Sequence, residues 1–277
     1  MTRFGVVLIA ERATRKQWLD RCRRAEALGY DVIAVPDHLN LLSPFPTAVL
    51  AAEATERPRI GTYVLNASFH RPALFARDVT TTAGLLGDRF ELGLGTGYVE
   101  AEFTAAGLPF DPATRIARLA GLARAVETLP ARPPLMIGGH GDRVLRLAAR
   151  HADVAGFTGA AHRPEYGRTA LVTAAALLER VAYLRAAAGA RAARMELNVL
   201  SKATVLTRDR RAGVESLRRY APDLTTDELL EVPTLFAGTP AQIAEQVRAG
   251  EERFGFSYVT VMDAAMEDFG KVITLLR

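Results

Sequence analysis

The chain has 277 residues, 49% hydrophobic and 24% charged, with a single cysteine and a formal charge of +4. This excludes a disulfide scaffold; no apolar run reaches the ~18 residues of a membrane span, and Met1 to Val6 enter a strand at once, leaving no room for a signal peptide, so a reducing cytoplasm is expected. The basic surplus is arginine scattered through helical segments at 15–24, 115–124 and 180–194, which reads as solvated helix faces and not as a nucleic-acid surface.

In chain order, residues 3–10 read as a buried strand, and Thr14 to Gln17 form a capping box that opens a helix stopped at Gly29. Residues 31–35 are a second strand with Pro36-Asp37-His38 at its exit, followed by a helix over about 46–56. A third strand over 59–65 leaves through Asn66 to Arg71, and Pro72 opens a helix that closes at Gly87. Strand four is the run from Arg89 into Gly93-Leu94-Gly95-Thr96-Gly97, with Asp111-Pro112 starting the next helix. Strand five, 133–137, exits through Gly138-Gly139-His140-Gly141-Asp142, and strand six covers 152–155. A long Ala/Leu helix is predicted over 165–188, a seventh strand over 196–206, and a variable excursion near the mouth over 207–237. Thr239 to Gln242 form a second capping box, and strand eight is 258–262.

Eight continuous apolar strands, each followed by helix, predict an α/β fold, a (β/α)8 TIM barrel forming one domain over 1–277. A doubly wound sheet is the rival, but strand one exits through Ala10 to Thr14 without the glycines of a dinucleotide-binding turn. In a barrel the strand exits converge on one mouth. There His38 can move a proton near neutral pH, with Asp37 as a hydrogen-bonding or orienting neighbour. Glycines 93, 95 and 97 allow a ligand close to the backbone, or simply make a tight turn. Gly138 to Asp142 offer backbone N–H groups at a helix start as a phosphate seat, or a turn capped by Asp142. No P-loop lysine, no Gly-x-Ser-x-Gly elbow and no His pair at metal spacing is present, so no metal is expected.

Taken together, Pro36-Asp37-His38, Gly61-Thr62-Tyr63-Val64-Leu65, Gly93-x-Gly-Thr-Gly97-Tyr98-x-x-x-Glu102-Phe103, Pro134 to Gly139 and Gly238-Thr239-Pro240 resemble the luciferase-like monooxygenase superfamily, and within it the branch using coenzyme F420. The resemblance implies an oxidoreductase with the deazaflavin across the strand exits. It implies His38 as proton-transferring residue, Asp37 bonded to the ring, a cis peptide at Tyr63–Val64, and Asn66 near the ring. Gly95, Thr96 and Gly97 would line the cofactor, and Gly138, Gly139 and His140 its phosphate. Tyr98 stands where sugar-phosphate dehydrogenases of the branch have a glutamate, so it and Glu102 are assigned to the substrate pocket, with Tyr98 as a wall or a proton donor. An FMN-dependent monooxygenase fed by a separate reductase, and a non-catalytic flavin-binding barrel, remain as alternatives. A small-molecule substrate and a homodimer are expected.

Overall fold

The computed structural model describes residues 2–163 and 168–277. Its strands are Arg3–Val7 (β1), Val32–Val35 (β2), Arg59–Thr62 (β3), Leu65–Asn66 (β4), Phe90–Gly95 (β5), Leu135–Gly138 (β6), Val154–Phe157 (β7), Ala160–Arg163 (β8), Arg168–Leu171 (β9), Glu196–Ser201 (β10), Ala203–Leu206 (β11), Leu235–Gly238 (β12) and Phe256–Met262 (β13). The helices are Arg15–Ala27 (α1), Pro44–Ala54 (α2), Pro72–Leu86 (α3), Glu100–Ala105 (α4), Pro112–Glu127 (α5), Asp142–His151 (α6), Ala174–Ala188 (α7), Arg210–Glu215 (α8), Thr226–Glu231 (α9), Pro240–Phe254 (α10) and Met266–Leu276 (α11).

Parallel pairing runs β3-β2-β1-β13-β10-β7-β6-β5, and β5 closes onto β3 through Ile60 against Phe90 and Gly61 against Glu91. This is the closed eight-stranded barrel expected, with β4 extending the third strand after a Tyr63–Val64 peptide bond that is cis. Most strand residues are buried because helices cover the outside while side chains fill the inside. Both predicted capping boxes are present: Thr14 with Gln17 at α1, and Thr239 with Gln242 at α10.

The barrel interior is layered. At the amino end Arg3 bonds Glu91 and Glu196, Arg59 bonds Glu91, and the Arg3 guanidinium lies 4.4 Å from the centre of the Tyr258 ring. These charges pair with one another, as buried charges must. Above them the Tyr63 hydroxyl donates to Asn198 Oδ1 (2.7 Å), and Asn198 Nδ2 donates to Thr260 Oγ1 (2.8 Å) and the Tyr258 carbonyl (3.1 Å).

Two expectations fail around the last third of the barrel. The helix predicted over 165–188 starts at Ala174, where the Thr173 hydroxyl caps the Ala176 N–H; before it, β8 and β9 pair antiparallel, and the predicted start at 165 lies outside the described residues. The strand predicted over 196–206 is two strands, because Lys202 N–H turns to the Thr234 carbonyl and the chain leaves the barrel. The stretch 207–237 holds α8, α9 and most of β12. Strand β12 pairs with β11, and the unit buries Val214, Leu217, Leu229 and Leu235 with Leu171 from β9. Strands β8 and β11 follow the carboxyl ends of β7 and β10, so the chain enters this layer from that end of the barrel.

Cys22, in α1, is fully buried, and burial pushes its thiol up to about 12. A thiolate-selective reagent at pH 8 should leave the native protein unmodified and label it only after unfolding. Stoichiometric labelling of the native chain would contradict this.

Candidate functional site

The mouth is built by the exits of β2, β4, β5 and β6. Where β2 ends, Asp37 and His38 diverge. The Asp37 carboxylate accepts from the Asn66 main-chain N–H (3.0 Å) and lies 3.2 Å from His70 Nε2. His38 turns the other way, its Nδ1 3.0 and 3.1 Å from the two Glu102 oxygens. Asp37 is therefore not the group that orients His38; Glu102 is.

Glu102 is set by local structure. It lies in the first turn of α4, and Leu39 N–H donates to its Oε1 (3.1 Å), so the loop carrying the histidine also fixes the carboxylate. A carboxylate at Nδ1 selects the Nδ1–H tautomer and leaves Nε2 as the acceptor. Both side chains are partly shielded, His38 at 28% and Glu102 at 14% exposure. Tyr98 packs edge-on against His38, with ring centres 5.7 Å apart. Desolvation, then the Glu102 charge, raises the Tyr98 phenol above its ordinary value, but with the residue 70% exposed solvent screens most of that effect. Tyr98 thus stands at the lip beside the histidine.

The glycines of β5 serve the chain itself. A Cβ on Gly93 would run into the Thr62 carbonyl, one on Gly95 would come within 2.6 Å of Val64 Cγ2, and one on Gly97 (φ 70°) would strike the Asn66 amide. Val64 thus fills the side-chain face of Gly95, so this glycine admits the neighbouring strand. Tyr63 likewise commits its hydroxyl to Asn198 inside the barrel. Thr96 is half-buried and bonds only the Gly97 carbonyl, which also accepts from Arg115 Nη1 (2.8 Å).

Two features fit a flavin-like group. Asn66 is 4% exposed, and its Nδ2 is buried without a hydrogen-bond partner among the described residues, a donor that a ring oxygen would satisfy. Gly138, Gly139 and His140 are half-buried and lead into α6, whose cap is Gly141 with no side-chain bond, so no side chain competes for its first N–H groups. Asp142 is not the cap; it sits one position later and pairs with Arg180 (2.6 Å). A Cβ on Gly139 would come within 2.5 Å of Val144 Cγ1, which keeps this turn flat against the helix. Among the described residues no three His, Cys, Asp or Glu side chains converge as a metal-ligand set, and no helix is long and apolar enough to cross a membrane.

Sequence reasoning missed the Glu102–His38 and Asp37–His70 pairs, and also Asn198. For Asn198 a signal existed, a lone amide inside the apolar run Leu197 to Leu200.

The luciferase-like monooxygenase family model matches residues 2–129. An F420-dependent glucose-6-phosphate dehydrogenase of Intrasporangium calvum is 35% identical over 121 residues, 40% of this chain and 36% of that protein, so only about a third of the relative is matched. Among solved structures, an F420-dependent secondary alcohol dehydrogenase in complex with an F420-acetone adduct superposes with a TM-score of 0.77 at 16% identity, covering 100% of this chain and 99% of that one. The monooxygenase RslO1 from Streptomyces bottropensis reaches 0.75 at 16% identity, covering 99% of each. At such identities the structures speak for the fold alone, and over the barrel's first half the chain is similar in sequence to the luciferase-like monooxygenases.

Proposed function

We propose that the chain is an oxidoreductase that moves a hydride between coenzyme F420 and a small organic substrate. The observation that carries the proposal is His38, held by Glu102 through Nδ1 at the barrel mouth with Nε2 left to exchange a proton. The sequence match to an F420-dependent dehydrogenase supports it. When bound, F420 supplies the hydride-accepting or hydride-donating carbon. The chain's own part is to take a proton at His38 Nε2 as the substrate is oxidised, or return it in the reverse direction. Glu102 holds the imidazole in one tautomer and stabilises it once protonated. Asn66 Nδ2, Thr96, Gly97 and the Tyr63–Val64 main chain would bind the ring. Gly138, Gly139 and His140 would hold the phosphate at the α6 terminus, Asp37 would support the floor through Asn66, and Tyr98 would wall the substrate. The proposal treats 1–277 as one barrel domain with 207–237 as its variable excursion, in a cytoplasmic homodimer.

The second reading, an FMN-dependent monooxygenase with a separate reductase, has the RslO1 fold in its favour. Fluorescence titrations of the purified protein with F420 and with FMN separate the two. Tight F420 and weak FMN binding is expected, the reverse favours the monooxygenase, and binding of neither sinks both. In the same assay Gly139→Glu should abolish cofactor binding, since its side chain meets Val144 and brings a negative charge to the phosphate seat. Unchanged affinity would refute the seat.

A further inference from the structure

We infer that the substrate carries an anionic group on an apolar body, and that Arg71 and Arg118 receive the anion. The inference rests on the hydride-transfer reading above for what the ligand is, but not for the existence of the anion site. A cleft of about 650 Å³ opens beside the mouth, with His38 on its wall. Its apolar lining includes Phe45, Phe69 and Leu108, enough for a hydrocarbon or aromatic body.

The charges in this cleft are unequal in availability. Asp37 is bonded to the Asn66 main-chain N–H and to His70, and Asp78 to Arg77 (2.8 Å), so both lining carboxylates already have partners. The guanidinium groups of Arg71, exposed at the start of α3, and of Arg118, half-buried on α5, make no hydrogen bond or ion pair among the described residues. Ser68, also on the wall, is 8% exposed and its hydroxyl is buried without a partner among the described residues. Two unpaired guanidiniums facing one cavity repel each other, and an anion between them relieves that repulsion while gaining charge-assisted hydrogen bonds. A carboxylate or a phosphate monoester on the substrate meets this chemistry, with its reacting carbon towards His38.

The test is calorimetric titration of the full chain with benzoate, with neutral benzamide and with inorganic phosphate. Benzoate is expected to bind, benzamide at least tenfold more weakly, and Arg71→Gln/Arg118→Gln to lose benzoate affinity at least tenfold; phosphate matching benzoate would mark a phosphate monoester as the preferred class. Neither benzoate nor phosphate bound by the native chain, benzamide bound as well as benzoate, or the double variant retaining native affinity would overturn the inference. An F420 titration runs alongside. If the double variant loses F420 affinity with benzoate binding intact, the arginines serve the cofactor and the inference fails. If the native chain binds benzoate but not F420, the anion site stands and the hydride-transfer reading falls.

Discussion

Replacing His38 with alanine is expected to lower turnover by about 10²–10⁴-fold, the usual contribution of a positioned general acid or base, with little change in cofactor affinity. The asymmetry follows from the geometry. His38 is anchored by its Nδ1 to Glu102 on one side and by edge contact with Tyr98 on another, while the groups proposed to grip the cofactor lie on and just before β4, just after β5 and at the β6–α6 turn. Glu102→Gln should fall between native and His38→Ala. The amide keeps the shape but can either accept from or donate to Nδ1, so it no longer selects a tautomer, and it cannot stabilise the protonated ring. A readout independent of any substrate is the ¹⁵N spectrum of the His38 ring: a protonated Nδ1 with a bare Nε2 in the native chain, a tautomer mixture in Glu102→Gln. Identical spectra would remove Glu102 as a positioning residue, and unchanged turnover in His38→Ala would remove the histidine from the reaction.

The barrel was legible because its signals are local. Apolar runs, proline and glycine punctuation and two capping boxes each act within a few residues, and all eight barrel strands came from them. The errors lie where a long-range bond decides. Nothing near Lys202 announces that its N–H will turn to Thr234, thirty-two positions on, so one strand was read where two exist. The site shows the same division. The strand-exit residues were found by position, but their partners were not. Sequence adjacency offered Asp37 to His38, whereas folding offered Glu102, brought across from α4 by the β2 and β5 exits. The Gly-rich run was noticed as a motif, with ligand space and a tight turn both left open. Its meaning needs Thr62, Val64 and Asn66, all on the neighbouring strand positions.

That packing makes Gly93 the position where the smallest change should cost most. Thr62 Oγ1 accepts from Gly93 N–H (2.8 Å) and donates to the Gly93 carbonyl (3.0 Å), so one side chain joins the two strands where the barrel closes. In Gly93→Ala the new methyl would meet the Thr62 carbonyl, a main-chain atom that cannot swing aside as a flexible side chain would. Overpacking of this kind costs about 3 kcal/mol, and parting Thr62 from Gly93 adds about 1 kcal/mol for each bond lost. For a chain of this size the total of about 5 kcal/mol lowers the melting temperature by about 10–20 °C. Gly84→Ala is the matched control. Gly84 lies on the exposed side of α3, with no atom within 4 Å of an added Cβ, so alanine should raise stability by about 0.5–1 kcal/mol through helix propensity alone. Thermal unfolding followed by circular dichroism measures both. Opposite signs are expected from the same one-methyl substitution. If Gly93→Ala melts with the native protein, the Thr62 carbonyl does not press on β5, and the assignment of these glycines to strand packing in place of ligand access is wrong.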